Sequence, residues 1–79
     1  MSRYFFHVRE DEETVEDLEG IEFPDEAAAR EEALRAARDI MADHIRRGLD
    51  VSCWSFEIDD EQGRSVMTVP FSAAVRRDS

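Results

Sequence analysis

The sequence predicts an α+β domain with the element order ββαββ: a four-stranded, mostly antiparallel sheet with one long helix packed on one face. Two observations predict it. Aromatic and branched residues recur at alternate positions near both ends of the chain, which is the period of a strand. Between them lies a run of alanine, leucine, glutamate and arginine, which are strong helix formers.

The first strand is predicted at residues 3–9. Successive side chains of a strand point to opposite faces, so two rows form, with Tyr4, Phe6 and Val8 on one face and Phe5 and His7 on the other. The chain returns as a second strand at residues 14–17. Gly20 then marks a bulge or bend before an extended piece at residues 21–23.

The helix is predicted between Asp25 and Gly48. Pro24 disfavours continuation of the extended piece, Asp25 is a good N-cap, and Gly48 suits the position just past a helix end. One apolar stripe runs along the helix and comprises Ala33, Leu34, Ala37, Ile40, Met41, His44 and Ile45.

The second hairpin is predicted from an alternating row of Ser52, Trp54, Phe56 and Ile58. Residues 59–63 form its turn, with Gly63 in a left-handed conformation. The returning strand covers residues 64–71, and its end is marked by Pro70, which has no N–H to donate. Residues 1–71 therefore form a single domain, followed by a flexible tail at 72–79.

A single helix covers one face of a sheet, so one of the two rows of the first strand is surplus to the core. Cys53 alternates with Trp54 and is expected to point away from the apolar side. We expect Phe5, His7 and Cys53 to lie in an interface with a second copy, which makes the protein a homodimer. The sequence leaves open the strand order and the face that the helix covers.

The charge is strongly acidic and uneven. The 79 residues carry a net charge of -10, and residues 1–26 hold ten acids against two arginines. This field repels nucleic acid and anionic membranes and favours a basic protein partner. No run of apolar residues is long enough to cross a membrane, and no signal peptide is visible. With a lone cysteine, the chain is expected to be cytoplasmic.

The sequence contains no pattern typical of a catalytic or metal-binding site. His7 and His44 are the only histidines and lack a metal-ligand spacing, and no base lies near Cys53 in the sequence. The three glycines do not form a phosphate-binding loop. The sequence therefore predicts no catalytic residue, no metal and no cofactor, and a protein that is not an enzyme.

Four segments together resemble a known family: residues 3–8, 19–25, 32–37 and 68–71, whose sequences are RYFFHV, EGIEFPD, EALRAA and TVPF. The family comprises small, acidic, mainly alphaproteobacterial proteins classed as a domain of unknown function. The resemblance covers about residues 3–71 and implies a short stand-alone domain, with no activity to transfer. The hairpin, acidic stretch and capped helix are also similar to HicB-type antitoxin domains, which implies a dimer that masks a basic toxin.

Overall fold

The computed structural model describes residues 1–76, and the α+β class with one long helix is confirmed. The elements follow in the order β1 (Ser2–Arg9), β2 (Thr14–Val15), β3 (Ile21–Phe23), α1 (Glu26–Arg46), β4 (Ser55–Asp59) and β5 (Ser65–Pro70). The sheet has five strands and not four, because the extended piece after Gly20 pairs with β1 as a strand of its own.

Strand β1 is the centre of the sheet, whose pairs are all antiparallel. One edge of β1 pairs with β4, and β5 follows β4 outward. The other edge is shared: β3 pairs with its first half and β2 with its second half. The two short strands leave a gap between them on that edge, opposite the middle of β1.

Helix α1 has the predicted ends. The side chain of Asp25 accepts a hydrogen bond from the Ala28 N–H at 2.8 Å, which satisfies one of the free donors of the first turn. Arg47 forms the C-cap, and Gly48 follows with a φ of 82°. The helix therefore begins and ends where local signals in the sequence put it.

The helix covers the β1 face that carries Tyr4. Three alanines on its inner side, Ala29, Ala33 and Ala37, have no exposed surface, so the helix backbone approaches the sheet closely. The remaining buried core comes from Tyr4, Val51, Phe56, Ile58, Val69, Phe71 and Ala74. The row of Tyr4, Phe6 and Val8 is thus the core row, a choice that the sequence left open.

Several predicted boundaries differ from the structure. The second strand ends at Val15 and not at residue 17, so residues 16 and 17 lie in the loop that follows it. Strand β4 begins at Ser55, so Cys53 and Trp54 lie in the turn before it. Of the predicted tail at 72–79, the residues up to Ala74 continue from Phe71 as one turn of 3-10 helix, with Ala74 buried against the core. Residues 77–79 lie outside the described residues.

Within residues 1–76, no helix combines the length and the hydrophobicity that a membrane crossing requires.

Because the helix and the sheet lie close together, we expect the stability of the domain to depend on the size of the side chain at Ala33. We expect Ala33→Leu to lower the free energy of unfolding by about 1–3 kcal/mol, because the added atoms overfill a packed interface. Ala27→Leu, at an exposed position of the same helix, should change it by less than about 0.5 kcal/mol. Denaturant unfolding followed by circular dichroism measures both, and equal losses would contradict the close packing.

Candidate functional site

The gap in the β1 edge is filled by a side chain. Between β2 and β3 the N–H of Phe6 has no strand opposite it, and it donates instead to Oδ2 of Asp17 at 3.0 Å. A backbone donor left without a partner inside a fold costs free energy. The Asp17 carboxylate therefore takes the place of the missing strand.

The same carboxylate also shapes the loop that follows it. Its Oδ1 accepts hydrogen bonds from the backbone N–H groups of Glu19 and Gly20, both at 3.1 Å. Desolvation opposes ionisation of this group, but the three backbone donors outweigh it and hold the pKa of Asp17 below its ordinary value. One ionised carboxylate thus joins the edge of the sheet to the loop.

His7 also holds the loop in place, from the face of the sheet opposite α1. Its Nδ1 accepts the backbone N–H of Asp17 at 3.1 Å, and its Nε2 lies 3.2 Å from Oδ2 of Asp59. Because Nδ1 accepts an N–H, it carries no proton, so the proton is on Nε2 and is donated to Asp59. Both ring nitrogens are occupied by contacts within the chain.

Gly20 ends the loop where space is smallest. Its φ is 71°, and a Cβ atom there would lie 2.8 Å from Cγ of Arg3 and 2.9 Å from the carbonyl oxygen of Tyr4. The Arg3 guanidinium clamps the same place, since its Nη1 donates to the carbonyl of Glu19 at 2.9 Å. Only a residue without a side chain fits this close approach.

The outer side of this region is a surface that we call the acidic edge, defined by Val15, Glu16, Leu18, Glu19 and Ile21. The three apolar side chains are 52 %, 83 % and 50 % exposed, in that order. Glu16 and Glu19 are also exposed, and their carboxylates form no ion pair or hydrogen bond within residues 1–76. Apolar groups and free negative charges therefore alternate along one stretch.

The predicted interface residues are in three different settings. Phe5 is partly buried, and its ring packs beside Gly20. His7 is held in the network described above, with 18 % of its side chain exposed. Cys53 is exposed in the turn before β4 and donates from Sγ to Oδ1 of Asp11 at 3.4 Å. Phe5 and His7 are therefore adjacent on one face, and Cys53 lies beyond its end.

The side chains of Cys53 and His44 both make contacts within the fold. The hydrogen bond to Asp11 is the main cause that raises the pKa of the Cys53 thiol, which reduces the thiolate that a nucleophile needs. His44 directs Nδ1 to the carbonyl of Ile40 at 2.8 Å, one helical turn back, and its ring packs on Trp54. No group of three or more potential metal ligands occurs among the described residues.

A family model described as Domain of unknown function (DUF6894) matches residues 3–72. The chain belongs to this family. The expected resemblance is thereby confirmed across nearly the whole domain, whereas the similarity to HicB-type antitoxins has no comparison to support it. No curated protein and no solved structure matches the chain.

In this DUF6894 domain, sequence reasoning missed the role of Asp17. The signal that could have found it is an aspartate three residues before a glycine, a spacing at which the carboxylate often accepts from following backbone N–H groups. The exposure of Leu18 could not be found this way. It follows from the loop geometry, which turns the side chain away from the core.

The close contacts of Gly20 predict an unequal response of two glycines. Gly20 and Gly63 have similar positive φ values, 71° and 78°, but nothing lies within 4 Å of a Cβ at Gly63. Gly20→Ala should therefore cost about 1–3 kcal/mol more stability than Gly63→Ala, which carries only the backbone penalty. Thermal and denaturant unfolding compare the two, and equal losses would show that the loop does not sit tightly on β1.

The lowered pKa of Asp17 predicts a pH-dependent contribution to stability. The folded pKa is below the ordinary value of 3.8, so the stabilisation is present above that pH and is lost as the pH falls through the folded pKa. At neutral pH, Asp17→Asn should lower the free energy of unfolding by about 1–3 kcal/mol, because an amide cannot accept on both sides.

This difference between the wild type and Asp17→Asn should shrink once the pH falls below 3.8. Glu16→Gln, at the exposed neighbouring acid, is the control and should change stability little at any pH. Unfolding curves between pH 2.5 and pH 7 make the comparison. A difference that stays constant down to the lowest pH would contradict the role of the charge.

Proposed function

We propose that the domain is a non-enzymatic protein-interaction module that binds a basic protein through the acidic edge. The observation that carries the proposal is the exposure of Leu18, at 83 %, between two carboxylates that have no partner within residues 1–76. An exposed leucine adds nothing to the core of its own domain. Buried in a partner, it would contribute about 1.5–3 kcal/mol.

The charge distribution supports a basic partner. Residues 10–22 contain eight acids and no basic residue, out of twenty acids in the whole chain. Such a surface speeds association with a positively charged protein and opposes nucleic acid and anionic lipid. The lone cysteine is in keeping with a reducing compartment, so we place this binding in the cytoplasm.

The rigidity of the loop supports binding without a large ordering cost. The residues on both sides of Leu18 are tied to β1, through the Asp17 carboxylate and through the Arg3 guanidinium on the Glu19 carbonyl. A side chain displayed on backbone that is already ordered loses little entropy when it binds. An antitoxin-like role, in which the domain masks a basic protein, is one form of this function.

The non-enzymatic part of the proposal is supported by His7. Both nitrogens of this imidazole are engaged within the chain, so it has no free nitrogen for a substrate. A general base needs a nitrogen within reach of a substrate proton. The raised pKa of the Cys53 thiol points the same way.

Self-association through the sheet face opposite α1 is the second candidate. That face carries Phe5 and His7, and α1 packs on the other one, against the row of Tyr4. A second copy placed over this face would cover Phe5 and reach Cys53. Two ion pairs, Arg3–Glu22 and Arg9–Glu57, and the hydrogen bond between His7 and Asp59 already occupy the polar part of the face, so we rank this candidate below the acidic edge.

The basic-partner proposal is tested by affinity capture from the cell that produces the protein, with quantitative mass spectrometry. Three baits are compared: the wild type, Leu18→Ser and Leu49→Ser. The last is a matched control, because Leu49 is also exposed, at 52 %, but lies outside the acidic edge. We expect at least one basic protein to be held by the wild type and Leu49→Ser and to be lost with Leu18→Ser.

The captured protein must then bind the purified domain directly, with an affinity that falls as salt is raised. Two results would contradict the proposal. One is capture that does not distinguish Leu18→Ser from the wild type. The other is a Leu18-dependent partner that is acidic.

A further inference from the structure

A second apolar surface lies at the far end of the helix, and we call it the C-terminal groove. It is an open depression of about 480 Å³ lined mainly by Met41, Ile45, Leu49, Val51 and Val75. Ile45, Leu49 and Val75 are 59 %, 52 % and 58 % exposed. Together with the acidic edge, the groove contains six of the seven large hydrophobic side chains that are exposed in the described chain.

The charges around the groove are the reverse of those on the acidic edge. Nine arginines lie in residues 1–76, and five of them form ion pairs. Of the remaining four, Arg38 lines the groove and donates from Nη1 to the Ala74 carbonyl at 3.3 Å. Arg46 and Arg76 directly follow the lining residues Ile45 and Val75 in the sequence. A guanidinium without a carboxylate is a ready partner for a free one.

The one acid among the lining residues does not cancel this match. The carboxylate of Asp50 is turned to its own chain, where Oδ1 accepts the Ser52 N–H at 2.9 Å. That hydrogen bond lowers the pKa of Asp50. Asp50 is therefore ionised and leaves one negative charge at the groove, where three arginines without a carboxylate partner outnumber it. The unpaired charges on the acidic edge are all negative.

We infer that the C-terminal groove binds the acidic edge of a second copy of this chain, with Leu18 as the anchor. Glu16 and Glu19 then face the free arginines, and apolar side chains meet apolar side chains. The inference rests on the proposed function in using the same acidic edge, and it adds a second surface and a particular occupant. A basic partner and a second copy would compete for Leu18.

The contact is heterologous, because two different surfaces meet. Each copy in such a pair keeps one edge and one groove unused, so association continues beyond the dimer unless a ring closes. A face-to-face homodimer has no such property, since its single surface is used up in the pair. The two modes of self-association therefore differ in stoichiometry as well as in the residues involved.

The test is sedimentation equilibrium of the full chain over a wide concentration range. We expect the weight-average mass of the wild type to rise with concentration and to pass that of a dimer. Leu18→Ser, which damages the edge, and Leu49→Ser, which damages the groove, should each weaken association roughly tenfold or more. Both residues are exposed, so both variants should keep the wild-type circular dichroism and unfolding midpoint.

The decisive sample is a one-to-one mixture of the two variants. Leu18→Ser retains an intact groove and Leu49→Ser retains an intact edge, so the mixture should form heterodimers at the wild-type affinity and stop there. Ala27→Ser, at an exposed helix position outside both surfaces, should associate as the wild type does.

Three outcomes would overturn the inference: a wild type that stays monomeric at every concentration, variants that associate normally, or a mixture that gains nothing over its components. Normal association of both variants would favour the sheet face of Phe5 and His7. Failure of this inference is separable from failure of the proposed function, because capture of a basic partner depends on Leu18 and not on Leu49.

Discussion

The hydrogen bond between the Phe6 N–H and the Asp17 carboxylate is the contact on which the edge of this sheet depends. A sheet edge of eight residues is covered by strands of two and three residues, which leaves the middle of β1 open. Asp17 closes that opening with a side chain and at the same time caps the loop behind it. Without the carboxylate, only the few backbone hydrogen bonds of the short strands β2 and β3 would hold this edge to β1. The loop between the two strands would then lose its fixed shape.

The same hydrogen bond stabilises the edge of the sheet and holds the loop that exposes the acidic edge. The loop that fills the gap contacts Phe5 and His7 on one side and exposes Leu18 on the other. The chain therefore covers part of its own second aromatic row, which reduces the apolar area that a second copy would need to bury. Leu18 is the apolar side chain that this arrangement leaves exposed, and the backbone that carries it is ordered.

The fold separates its two apolar surfaces by charge as well as by position. The acidic edge lies on the short strands beside β1, whereas the C-terminal groove lies between the end of α1 and the turn after β5. Five of the nine described arginines form ion pairs, and three of the other four either line the groove or directly follow one of its lining residues in the sequence. A net charge of -10 hides this asymmetry, because it describes the sum and not the arrangement.

The sequence by itself determined the elements whose signals are local. Asp25 caps the helix through a bond to a residue three positions away, and Gly48 and Gly63 adopt the left-handed conformations that their positions require. Tertiary structure decided what depends on distant residues. The helix packs on the Tyr4 row because that face also carries Phe56 and Ile58, which share one buried cluster with the helix alanines. Asp17 contacts Phe6, eleven residues back in the chain, only because the fold places β1 beside the loop. Neither contact leaves a periodic pattern in the sequence, because each joins segments that come together only in the folded chain.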